Sequence, residues 1–189
     1  MKILVLDNYD SFTYNLVHIL KELTRGPVDV FRNDEISVED VDIYDKILIS
    51  PGPGVPDQAG ITKKMINQYG PSKSILGVCL GCQAIGEVYG GRIINLEKVY
   101  HGIETNINVI SAENKLFEGI PATFTAGRYH SWVVSEEGLP SVIKITATDD
   151  EGSIMAIEHT TFDVRGVQFH PESVMTEHGK QILLNWLNI

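Results

Sequence analysis

Short aliphatic runs alternate with helix-like segments through the first half of the chain, and this alternation restricts the fold more than any other feature. Ile3 to Leu6, Val28 to Phe31, Ile47 to Ile49 and Ile75 to Cys79 are almost wholly apolar. Strands covered on both faces read this way, and their alternation with helices predicts a parallel sheet. Between the first two strands, Asp10 or Ser11 can cap a helix that carries Leu16, Leu20 and Leu23 on one face and ends at Gly26-Pro27. A second helix is expected over Gly60 to Gln68, and a third from near Gly81 to the Gly90-Gly91 pair.

Beyond Arg92 the pattern changes. Ile103 to Ile110, Thr123 to Thr125, Ser131 to Val134, Val142 to Ala147, Ile154 to Ile157 and Val164 to Phe169 read as strands, some alternating apolar with polar, so an antiparallel addition is expected. Thr176 to Leu187 has the spacing of a closing helix, with Ile182, Leu183 and Trp186 facing the sheet. The 189 residues, 43% hydrophobic and without repeat or linker, predict a single domain over 1–189. No apolar run approaches the roughly 18 residues of a membrane span, and no signal-peptide cleavage site follows the first strand. Two cysteines are too few for a secreted disulfide framework. A cytoplasmic protein with no membrane partner is expected. The net charge of -10 repels phosphate backbones, so nucleic acid is not an expected partner.

Chemistry enters at Gly77-Val78-Cys79-Leu80-Gly81, a strand-to-helix junction with a glycine two places either side of a cysteine. This is the spacing of a nucleophile elbow, with sulfur in place of oxygen. The glycines allow a tight turn, and the helix N-terminus favours a thiolate. A buried, inert thiol is the competing reading. Cys79 and Cys82 also spell C-x-x-C, but a zinc site lacks two further ligands at suitable spacing, and a redox dithiol is expected after an early strand of a smaller domain.

Gly166-Val167-Gln168-Phe169-His170-Pro171-Glu172 closes a predicted strand with a histidine and an acid two residues apart. In extended chain both would point to one side, which lets Glu172 orient the imidazole. A thiol beside a histidine held by a carboxylate is the arrangement of a base-activated nucleophile. The alternative is a solvated histidine and a surface acid. Ser50-Pro51-Gly52-Pro53-Gly54 follows another strand, and its bulk-free backbone can lie against a small substrate. The N–H of Leu80 and one from Gly52 or Gly54 are the expected oxyanion donors, with a plain structural turn as the other reading.

Together these residues resemble the class I (triad) glutamine amidotransferases along almost the whole chain. Asp7 to Leu16, Arg32 to Glu35, Ser50 to Gly54, Arg128 to Ser131 and His170 to Ser173 are similar to the glutaminase components of anthranilate synthase and 4-amino-4-deoxychorismate synthase. The resemblance implies a flavodoxin-like, open and mostly parallel α/β sheet with helices on both faces. It implies Cys79 as nucleophile, His170 as base and acid, and Glu172 as its orienter. Gly52, Pro53, Gly54, Leu80, Gln83, Ser131 and Trp132 then bind glutamine. Without the family, Gln83 is an ordinary helix residue and Ser131-Trp132 an ordinary strand start. A chorismate-using synthase subunit is the implied partner and consumes the ammonia. No metal or cofactor is implied here, and any magnesium belongs to that partner. Two departures stand out: Cys82 replaces the family's usual histidine, with oxidation sensitivity as the expected consequence, and Ile103 follows Gly102 where relatives often carry Lys or Arg. The non-enzymatic alternative is a doubly wound binding module with a structural cysteine.

Overall fold

A computed structural model describes residues 1–96, 99–111 and 113–189. In chain order the elements are β1 (Ile3–Asp7), α1 (Thr13–Leu23), β2 (Val28–Arg32), β3 (Lys46–Ile49), α2 (Thr62–Tyr69), β4 (Ser74–Val78), α3 (Leu80–Val88), β5 (Ile93–Asn95) and β6 (Ile103–Val109). They continue with β7 (Thr123–Arg128), β8 (Trp132–Val134), β9 (Ile143–Asp149), β10 (Ile154–His159), β11 (Val164–Val167) and α4 (Gly179–Asn188). A nine-stranded sheet runs in the order β2-β1-β3-β4-β11-β10-β9-β6-β7. Its first five strands are parallel, and the rest pair antiparallel. The expected antiparallel addition is therefore an extension of the main sheet, joined by a separate β5–β8 ribbon.

The apolar runs split by face as the two-residue period of a strand requires. Ile3 and Val5 of β1 pack with Leu16, Val17 and Leu20 of α1 and with Ile182, Leu183 and Trp186 of α4. Leu4 and Leu6 pack on the other face with Met65 and Ile66 of α2 and Ile85 of α3. Each fully buried side chain of this kind contributes roughly 1.5–3 kcal/mol, so both faces of β1 anchor the sandwich.

Local chemistry moved some boundaries. Neither Asp10 nor Ser11 is the N-cap of α1; Phe12 holds that position without a side-chain cap. The Asp10 carboxylate instead accepts the Phe12 N–H at 2.7 Å, and Asp7 accepts the Thr13 hydroxyl at 2.8 Å. The closing helix starts at Gly179, three residues later than expected. Thr176 is spent on tertiary bonds, its hydroxyl donating to the His170 carbonyl at 2.6 Å and accepting the Gly127 N–H at 3.1 Å. Among the described residues no helix is long and apolar enough to cross a membrane.

Candidate active site

The carboxyl ends of β1, β3, β4 and β11 meet at one edge of the sheet, the usual place for a site in an open α/β fold. Cys79 stands between β4 and α3 at φ 52°, ψ -100°, and is one of two non-glycine residues with positive φ among those described. Its flanking glycines are a steric necessity. A Cβ on Gly77 would lie 2.4 Å from the Gly81 carbonyl carbon, and one on Gly81 would lie 2.8 Å from the Ile49 oxygen. The Cys79 N–H is spent on the Val167 carbonyl at 2.8 Å. The adjoining Leu80 N–H belongs to the first turn of α3, where the helix itself supplies no acceptor, and so can serve an oxyanion.

His170 arrives from the segment after β11. Its Nδ1 lies 2.6 Å from Glu172 Oε1, with both side chains almost wholly buried. The route differs from the extended chain expected. Ser173 donates its N–H to the His170 carbonyl at 3.2 Å, so Glu172 reaches back across a turn. Burial alone would lower the His170 pKa, but interaction with Cys79 and Glu172 outweighs it and raises the group to about 10. Nε2, the nitrogen left for chemistry, is buried and makes no full hydrogen bond among the described residues. Catalytic contacts are often loose before substrate binds. Tyr129 packs against the imidazole at 4.9 Å and Phe12 at 6.4 Å between ring centroids, screening it from water.

The raised pKa gives a test with a definite sign. His170 binds its proton more tightly folded than unfolded, so this stabilisation is complete below about pH 6.5 and fades as pH rises to about 10. Glu172→Gln removes one cause of the shift. Its stability deficit against the parent should be largest near pH 6.5 and shrink toward pH 10, as read by urea denaturation at several pH values. A deficit independent of pH would mean that Glu172 acts through packing alone.

A second histidine nearby cannot take the same role. Burial, Arg128 and His170 together push His130 down to about 3, so it stays neutral. Its Nε2 accepts from Arg128 Nε at 3.1 Å, and Arg128 in turn pairs with Asp149 at 2.5 Å. Of these two histidines, His170 alone has its pKa raised.

Beside Cys79 lies a cavity of about 200 Å³, whose lining includes neither His170 nor Glu172. Gly52, Pro53, Gly54, Cys79, Gln83, Ser131 and Trp132 line it, together with Tyr129 and His130. Its volume suits one small polar molecule better than a drug-sized ligand. Leu80 backs the loop rather than the cavity: a Cβ on Gly52 would meet the Leu80 side chain at 2.7 Å and the Asn8 oxygen at 2.7 Å. Gln83 Nε2 donates to the Trp132 carbonyl at 2.8 Å and to Gln168 Oε1 at 3.3 Å, which leaves its own carbonyl oxygen to offer a ligand. The loop is braced from behind by Asn8, whose N–H donates to Ser50 Oγ at 2.8 Å and whose Oδ1 accepts from Asn33 and Thr62. Sequence reasoning gave no role to Asn8, Asn33 or Gln168, and polar residues at strand ends carry no local signal of one.

Cys82 is a correction. It is fully buried against β11, where a Cβ on Gly166 would lie 2.8 Å from its sulfur, and burial pushes its thiol far up. A thiol that neither ionises nor meets solvent resists oxidants, contrary to the expected sensitivity. Both cysteines are free.

Comparisons with known proteins agree with this geometry. The model of the family "Glutamine amidotransferase class-I" matches residues 4–189. The aminodeoxychorismate/anthranilate synthase component 2 of Bacillus subtilis is 46% identical over 98% of this chain and 95% of its own. The bifunctional protein TrpGD of Thermotoga maritima is 44% identical over 100% of this chain, which spans 32% of that longer protein. A crystal structure from Thermoplasma acidophilum, described as that of a "putative gmp synthase subunit a protein", superposes with a TM-score of 0.89 at 27% identity, covering 100% of this chain and 92% of that one. The chain belongs to the class-I glutamine amidotransferases.

Proposed function

We propose that this chain is the glutaminase subunit of anthranilate synthase, hydrolysing glutamine at Cys79 and passing ammonia to a chorismate-using partner. The observation that carries the chemistry is the Glu172-held imidazolium of His170 beside a cysteine fixed in a strained elbow. Cys79 as thiolate attacks the glutamine carboxamide carbon, and the C–S bond forms as the carbonyl electrons move to oxygen. The Leu80 N–H and a glycine N–H of the 52–54 loop receive that charge. His170 gives its proton to the nitrogen as the C–N bond breaks, releasing ammonia and leaving a glutamyl thioester. Water, deprotonated by His170, then cleaves the thioester to glutamate and restores the thiolate. Gln83, Ser131 and Trp132 hold the amino-acid end in this reading, which their position in the cavity lining supports. No step needs a metal or cofactor in this subunit, and magnesium, if used, would serve the synthase partner. A cytoplasmic setting suits a free thiol nucleophile.

A second reading has a specific support: the name of the Bacillus relative carries both anthranilate and aminodeoxychorismate synthase. Measuring glutamate release by the purified chain, alone and with component I of each synthase, separates them. Cys79-dependent release, stimulated by one partner and absent from Cys79→Ser, is expected. If no partner lifted the parent above Cys79→Ser, a binding module with a structural cysteine would be the better description.

A further inference from the structure

Gln168 is the first residue after β11, fully buried, and takes no part in the mechanism above. Its Nε2 lies 3.5 Å from Cys79 Sγ. The polarity of this contact is fixed by a chain of bonds. The Trp132 carbonyl can only accept, so the nearby amide atom of Gln83 must be nitrogen. The second proton on that nitrogen then goes to Gln168, whose facing atom must be oxygen. Gln168 therefore turns its NH2 toward the sulfur. The backbone adds a second tie at the same place, because the preceding Val167 carbonyl accepts the Cys79 N–H, while the Gln168 N–H donates to Met155 of β10 at 2.8 Å.

We infer that Gln168 is a positioning residue: its side-chain N–H donates to the Cys79 sulfur, favouring the thiolate and holding it toward the substrate cavity. The inference deepens the glutaminase reading and rests on it for its catalytic meaning. A hydrogen bond to an ionised acceptor is stronger than to a neutral one, so the donor stabilises the thiolate more than the thiol. The same bonds link the Trp132 carbonyl on the cavity wall to the nucleophile through two amides, coupling the substrate wall to the orientation of the sulfur. Filling space at the sheet end is the competing account, and it requires only volume.

The test compares the parent with Gln168→Met, which keeps length without a donor, and Gln168→Leu, which keeps apolar bulk without one. Iodoacetamide labelling of Cys79, located by mass spectrometry, should slow about 10- to 100-fold at pH 7 in both variants, the loss expected when a hydrogen bond to a charged group disappears. With glutamine, kcat should fall about 10- to 100-fold while KM stays within about threefold. Labelling at the parental rate at pH 7 in either folded variant would overturn the inference. Slowed labelling in variants of a parent that releases no glutamate would uphold the positioning role and reject the glutaminase reading. Cys79-dependent glutamate release with unchanged labelling would do the reverse.

Discussion

Cys79→Gly should release no measurable glutamate, a loss of about 10⁴-fold or more, yet resist urea better than Cys79→Ala. Deleting a nucleophile explains the first result, and the backbone explains the second. At φ 52°, ψ -100° a side chain of any kind is strained, at a cost on the order of 1–3 kcal/mol. Glycine relieves that strain. Elsewhere in an ordered element glycine is worse than alanine by roughly 0.5–1 kcal/mol, so the order at position 79 should be inverted, with Gly ahead of Ala by about 1–2 kcal/mol. Urea denaturation of the two variants decides it. Equal stability, or alanine ahead, would mean that the elbow is relaxed and that its shape is not held by the surrounding fold.

Gly77→Ala should cost about 3 kcal/mol and reduce glutamate release more than about 100-fold without touching a reacting atom. The added Cβ would lie 2.4 and 2.5 Å from the carbonyl carbon and oxygen of Gly81 and 2.8 Å from the Cys82 nitrogen. All three are backbone, so no rotamer change removes the overlap. β4 cannot yield either, because it is paired with β3 on one side and β11 on the other. The start of α3 must then move, and it carries Cys79 and the Leu80 N–H with it. Gly138→Ala provides a contrast, since a Cβ there meets nothing within 4 Å and only its φ of 75° is unfavourable. If Gly77→Ala unfolded at the parental urea concentration, the close approach of β4 and α3 would be wrong.

The parts legible in the sequence share a physical reason. β1, β3 and β4 are buried on both faces, so an uninterrupted aliphatic run, Ile3 to Leu6, Ile47 to Ile49 and Ile75 to Leu76, marks the centre of each, with polar residues at one end. The elbow glycines were legible because close backbone approach admits no other residue. β5 escaped notice: Ile93–Asn95 is largely exposed, pairs among the described residues with β8 alone, and so lacks both an apolar run and a clean alternation. His170 and Glu172 were paired correctly from their spacing, but through a turn, because the Thr176 and Ser173 bonds that bend the chain act across the segment rather than within the dipeptide. Gln168 was invisible as a participant, since its meaning depends on Gln83, 85 positions away in sequence. The likeness to class I amidotransferases named the cavity residues that local pattern alone left as ordinary helix and strand.

β11, near the carboxyl end of the chain, is threaded between β4 and β10. While the chain emerges during synthesis, β4 and β10 must therefore each present an unpaired margin, the first closing a parallel half-sheet and the second an antiparallel one. Such margins are open to mispairing with other chains. The strand that seals them also delivers His170 and Glu172 to Cys79. Catalytic competence and protection from aggregation are thus acquired in one event, and turnover of glutamine would report the fraction of chains that have completed it.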